Sequence, residues 1–130
     1  MVREANEAKK MSYAPYSGFH VGAALLGKSG KIYRGCNIEN AAYSPTNCAE
    51  RTAVFKAVSE GETEFEAIAV IGDTDHYLAP CGVCRQVLQE FADPQNFVVL
   101  MAGKDLNYQK MSLSELFPST FSKADLETQR

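Results

Sequence analysis

The sequence predicts an α/β domain, a three-layer α/β/α sandwich around a mixed sheet of about five strands. Its elements run helix, hairpin, then strands alternating with helices, an order that covers a mixed sheet on both faces. The later strands are short continuous apolar runs, the pattern of strands buried on both sides. The chain has 130 residues and no repeat, low-complexity tract or linker rich in Gly, Ser or Pro, so one domain is expected over residues 1–130.

Residues 1–12 read as a short helix, with Val2, Ala5, Ala8 and Met11 at a spacing of three. Tyr13-Ala14-Pro15-Tyr16-Ser17-Gly18 breaks it. Phe19 to Lys28 reads as a strand with Phe19, Val21, Ala23 and Leu25 on one face. Ser29-Gly30 turns the chain into a second strand, Lys31 to Ile38, completing a hairpin. A loop follows from Glu39 to Asn47. Cys48 to Glu60 reads as a helix whose apolar side holds Ala49, Ala53, Phe55, Ala57 and Val58, with Gly61 as its stop. Phe65 to Ile71 is a buried strand, and Asp73 to Pro80 a loop. Cys81 to Ala92 is a helix with Val83, Val87, Leu88 and Phe91 inward. Phe97 to Met101 is a further buried strand, Tyr108 to Met111 an edge strand and Ser112 to Phe117 a short helix. Phe121 to Gln129 reads as a helical tail.

Acids outnumber bases, 16 to 13, for a net charge of −3. A protein that coats nucleic acid or lies on a membrane needs clustered positive charge, so both classes are disfavoured. No apolar run approaches the ~20 residues of a membrane-spanning helix. The start, Met1 to Glu7, carries no apolar signal segment, so a cytoplasmic location is expected, where thiols stay reduced. The four cysteines then point to metal binding or catalysis before disulfides.

Cys48-Ala49-Glu50 opens one predicted helix and Pro80-Cys81-Gly82-Val83-Cys84 opens another. Three thiolates on zinc leave the fourth tetrahedral position for water, as a catalytic zinc site requires. Glu50 can reach the same pocket without being a ligand and suits a base for that water. Zinc with three thiolates is a weak Lewis acid, and the sequence offers two remedies. Helix N-termini stabilise negative charge, each by roughly 0.3–1 kcal/mol. Arg51 can hydrogen-bond a ligand sulfur and restore acidity to the metal. Two blander readings stand beside this one: a redox pair at Cys81 and Cys84, and a closed four-thiol site that recruits Cys36.

Asn37-Ile38-Glu39-Asn40-Ala41, Cys48-Ala49-Glu50-Arg51-Thr52 and Pro80-Cys81-Gly82-Val83-Cys84-Arg85-Gln86-Val87 closely resemble the homotetrameric zinc-dependent cytidine deaminases. The resemblance runs from Tyr13-Ala14-Pro15-Tyr16-Ser17 through Glu115-Leu116-Phe117-Pro118 to Phe121. Cys48 stands where nucleic-acid-editing relatives and dimeric cytidine deaminases carry His. Ala79 stands where Ser commonly precedes Pro80, and Val83 where Ala is common between the cysteines.

The resemblance implies one zinc per subunit on Cys48, Cys81 and Cys84, with Glu50 moving protons as cytidine or deoxycytidine becomes uridine or deoxyuridine and ammonia. It further implies that Asn37 and Glu39 bind the sugar hydroxyls, that the Ala49 backbone meets the pyrimidine edge, and that Phe19 packs beside the base. Phe121 resembles an aromatic residue that closes a neighbouring subunit's site, with 118–130 as the tail that carries it. Arg51 and Gln86 are expected to support the zinc cysteines by hydrogen bonds. The implied assembly is a homotetramer with shared active sites.

Overall fold

The computed structural model describes residues 1–127. Ten elements follow in chain order. They are α1 (Val2–Lys9), β1 (Val21–Gly27), β2 (Ile32–Cys36), α2 (Ala49–Ser59), β3 (Phe65–Gly72), α3 (Gly82–Phe91), β4 (Val98–Ala102), β5 (Tyr108–Ser112), α4 (Leu113–Leu116) and α5 (Lys123–Glu127). The strands form one five-stranded sheet in the order β2-β1-β3-β4-β5. Only β3 and β4 pair in parallel, because α3 carries the chain back across the sheet between them. The expected α/β/α architecture is present.

The sheet has a core on each face. Ala23, Leu25, Tyr33, Ile68, Val70, Val99 and Met101 meet α2 and α3 on one side. Ala24, Ala69, Ile71 and Ala102 meet Val2 and Ala5 of α1 on the other. Two glycines set how closely the helices approach. A Cβ on Gly22 of β1 would lie 2.0 Å from the Ala5 carbonyl oxygen of α1. A Cβ on Gly35 of β2 would lie 2.4 Å from the Ala49 carbonyl oxygen and 2.5 Å from the Ala53 nitrogen of α2. Backbone thus packs against backbone on both faces.

The differences from the expected elements have local causes. The first strand begins at Val21 rather than Phe19, because Gly18 turns the chain with φ 69° and the Phe19 N–H is taken by Ser17 Oγ at 3.0 Å. The second strand stops at Cys36 instead of Ile38, although Ile38 keeps isolated bridges to Tyr13 and Asn47. Helix α2 buries Ala49, Ala53, Val54 and Ala57 against the sheet, which turns Phe55 outward, 48% exposed. Helix α3 buries Cys84 and Leu88 and leaves Val83 58% exposed. Met11 follows the end of α1 and is exposed. Of the expected tail helix, Phe121 to Gln129, the described residues show α5, which starts at Lys123, and 128–130 lie outside the described residues.

Candidate metal centre and cavity

Strand direction gathers the candidate residues at one end of the sheet. Val21 at the start of β1 pairs with Gly72 at the end of β3, and the Asn37 N–H beyond β2 donates to the Val21 carbonyl at 3.3 Å. The N-termini of α2 and α3 meet there, at the carboxyl end of β3, where open α/β sheets bind ligands.

Cys48 is the N-cap of α2 and Cys81 the N-cap of α3, both in extended conformation. Cys84 is buried in the first turn of α3, and its N–H donates to Cys81 Sγ at 3.5 Å. The sulfurs of Cys48, Cys81 and Cys84 all lie within 4.8 Å of one another. Cys48 Sγ is 3.9 Å from Cys81 Sγ, which is 3.4 Å from Cys84 Sγ. Sulfurs on a zinc tetrahedron with bonds of ~2.3 Å stand ~3.8 Å apart, so the donor set fits that ion. Cys36 ends β2, half-buried, and lines a separate cavity with Glu7, Arg34 and Lys56. Among the described residues the metal-ligating cluster has three thiols, and Cys36 is not one of them.

Charge at the cluster is strongly structured. The Cys84 thiol and the Arg51 guanidinium pull Cys48 down to about 5 against the cost of its partial burial. The same Cys48 partner, burial and the Glu50 charge push Cys84 up. Arg51 Nη2 donates to Cys48 Sγ at 3.2 Å, the sulfur contact expected of it. Glu50 is 5% exposed, and burial, with the nearby Cys48 charge, lifts its carboxyl to about 7. A buried carboxyl tuned towards neutrality beside a metal-type cluster makes Glu50 the candidate proton carrier of this site.

The cluster forms one wall of a cavity of about 290 Å³. Cys48, Ala49, Glu50 and Cys81 line that side, and Phe19, Asn37 and Glu39 line the remainder with Ser17 and Leu78. Gly72 makes room for the Phe19 ring, since a Cβ there would meet Phe19 Cζ at 3.0 Å and Leu78 Cδ2 at 2.7 Å. Asn37 Oδ1 accepts the Val21 N–H at 2.9 Å and the Ser12 hydroxyl, and its Nδ2 donates to the Phe19 carbonyl at 2.8 Å. Glu39 Oε1 accepts the N–H groups of Tyr16 at 3.0 Å and Ser17 at 3.1 Å, and Oε2 accepts the Ser17 hydroxyl.

Two candidates sit elsewhere. Gln86 Nε2 donates to the Phe121 carbonyl at 2.8 Å, so the bond expected to a cysteine sulfur gives way to a tie on the C-terminal segment. Phe121 is 57% exposed and does not line the cavity of its own chain. The sequence reading missed Ser17 and Leu78. Ser17 is a turn residue by composition, and nothing in its spacing announces the Glu39 contact.

Fold and site together define a domain with a zinc-type thiol cluster beside a buried carboxylate. The chain matches the family described as cytidine and deoxycytidylate deaminase zinc-binding region over residues 1–101. It is 51% identical to a cytidine deaminase of Sporosarcina psychrophila, across 97% of this chain and 92% of that protein. A cytidine deaminase of Halalkalibacterium halodurans is 48% identical, across 97% of this chain and 95% of that one. The crystal structure of a cytidine deaminase from Burkholderia pseudomallei superposes with TM-score 0.88 at 44% identity, covering 92% of this chain and 95% of that one. The chain belongs to the cytidine and deoxycytidylate deaminase family, whose domain binds zinc.

Proposed function

We propose that this chain hydrolyses cytidine and deoxycytidine to uridine and deoxyuridine with release of ammonia. The observation that carries the reading is the buried Glu50 beside three converging thiols. A purely structural zinc site has no use for such a carboxylate. Cys48, Cys81 and Cys84 would hold zinc, which would supply the Lewis acidity needed to make water a nucleophile near neutral pH. Glu50 takes a proton from the attacking water and passes it to N3 of the ring as the C4–O bond forms. Glu50 then takes the proton of the new C4 hydroxyl and gives it to the amine, so the C4–N bond breaks as the C4 carbonyl forms, and ammonia leaves. Arg51 draws charge from Cys48 and so keeps the metal acidic.

Phe19 packs beside the base, the Ala49 backbone meets the pyrimidine edge, and Asn37 and Glu39 hold the sugar. Their common position on one cavity supports these roles. The chain acts as one domain over 1–130, and its tail, 118–130, offers Phe121 to a neighbouring subunit of a homotetramer. The exposure of Phe121 and its place outside the lining of its own chain's cavity favour that reading. Free thiols suit the cytosol. Among the described residues no helix is long and apolar enough to cross a membrane.

Zinc content and ammonia release, measured on one preparation, test the assignment. The expected result is one zinc per chain and ammonia from both nucleosides. Cys81→Ala and Cys84→Ala should lose both, while Cys36→Ala keeps its zinc. A zinc-loaded protein that leaves both nucleosides intact is a structural module, and the proposal then fails.

A further inference from the structure

The hydrogen bonds of Glu39 point to a residue with no assigned role. A carboxylate offers about four lone-pair sites. The Tyr16 and Ser17 N–H groups occupy Oε1, and the Ser17 hydroxyl occupies part of Oε2. About one acceptor site is left, on Oε2. The terminal torsion of a glutamate is broad and roughly two-fold, so a carboxylate tied at one oxygen turns easily. Tied at both, it aims its remaining lone pair in one direction. The Ser17 hydroxyl is the group that ties the second oxygen.

Ser17 is also well placed to do this. Its Oγ accepts the Phe19 N–H at 3.0 Å, which leaves its single proton for Glu39. Gly18, between the two, is in the left-handed region at φ 69°, and the chain reverses there. One short turn therefore anchors both Glu39 and Phe19, and Ser17 itself lines the cavity.

We propose that Ser17 is a positioning residue for nucleoside recognition: its hydroxyl fixes the Glu39 carboxylate so that the free Oε2 lone pair meets a sugar hydroxyl. The inference rests on the functional reading above. It separates Ser17 from a plain turn residue by the part of the ligand it affects.

The test compares cytidine with 2′,3′-dideoxycytidine, which lacks both ring hydroxyls, in wild type, Ser17→Ala and Ser17→Thr. Specificity is read as kcat/KM, or by competitive inhibition where turnover is slow. Losing a hydrogen bond to a charged group corresponds to about tenfold or more. Ser17→Ala should therefore lose about tenfold on cytidine, mainly through KM, and much less on the dideoxynucleoside. Ser17→Thr, which keeps the hydroxyl, should recover most of that loss. The freed Phe19 N–H affects both ligands alike, so the ratio between them isolates Glu39. Equal losses on the two ligands, no loss on either, or an impaired Ser17→Thr beside an impaired Ser17→Ala each overturn the assignment while cytidine deamination stands. A wild type that releases no ammonia from cytidine overturns the functional reading and this inference with it. Should Ser17→Ala not fold, Ser17→Cys carries the same comparison with a weaker donor.

Discussion

Glu50 is buried beside the cysteine cluster, and that burial holds its pKa at about 7. Desolvation disfavours its charge, and the Cys48 charge adds to the effect. The group can therefore take a proton and return it near neutral pH. Glu50→Gln preserves the shape and removes the proton. That variant should keep its fold and its zinc, with turnover reduced by about 10⁴-fold, the upper end for one general acid–base group. Zinc assay beside steady-state kinetics checks it, and retention of a tenth of the wild-type turnover would place the base elsewhere.

Residue types also explain why only part of this site was readable beforehand. Cys48, Cys81 and Cys84 occur in a pattern compatible with zinc, with Glu50 nearby, and the family resemblance singles these four out from the alternatives the chemistry leaves open. Arg51 was readable by adjacency, and its sulfur contact is present at 3.2 Å. Gln86 was misplaced because a helical Gln beside a ligand has several partners within reach, and the Phe121 carbonyl takes it.

At the scale of elements, the two helix N-termini must stand close enough for their N-cap sulfurs to meet. Gly35 governs that approach for α2, since its missing Cβ is where the Ala49 carbonyl lies. Gly22 does the same for α1 on the opposite face, away from the cluster. Overpacking a tight contact costs about 1–3 kcal/mol, and more where backbone must move. Both Gly35→Ala and Gly22→Ala should thus lower the melting temperature. Only Gly35→Ala should also speed zinc loss to a chelator, because only it shifts the Cys48 cap relative to Cys81. Equal zinc retention in the two variants would uncouple the α2 packing from the metal centre.

At the scale of the whole molecule, the C-terminal segment lies along α3 with the Phe121 side chain exposed. Arg85 donates to the Leu116 carbonyl at 2.7 Å and Gln86 to the Phe121 carbonyl at 2.8 Å, so α3 holds the segment at both ends. Phe121 remains 57% exposed although its backbone is tethered. A ring presented in this way fits the proposed entry into a neighbour's cavity. Glu50→Ala and Phe121→Ala should each be strongly impaired alone. Unfolded together and reassembled, they should form mixed tetramers in which some sites combine an intact Glu50 with an intact Phe121, and activity should rise above either parent. Verified mixed assemblies without any rise would assign both residues to one chain's site.

The sequence by itself determined the order and kind of the elements, because apolar periodicity and Gly or Pro breaks are local signals. It also marked the candidate ligand and base residues, because a metal and a proton transfer tolerate few residue types at few spacings. Element ends were set otherwise: Phe19 and Ile38 carry strand-like side chains, yet Ser17 and Asn47 claim their backbone groups. Tertiary structure alone decided that Cys36 stays apart from the other thiols, since strand β2 ends across from β1 and faces a different cavity. It also decided which faces of α2 and α3 are buried: Gly35 admits the α2 backbone so that Ala49 and Ala53 meet the sheet, Cys84 and Leu88 are buried on α3, and Phe55 and Val83 stay exposed. The Ser17–Glu39 contact spans 22 residues and joins two loops, so no local pattern encodes it. Only the folded chain brings that hydroxyl to that carboxylate.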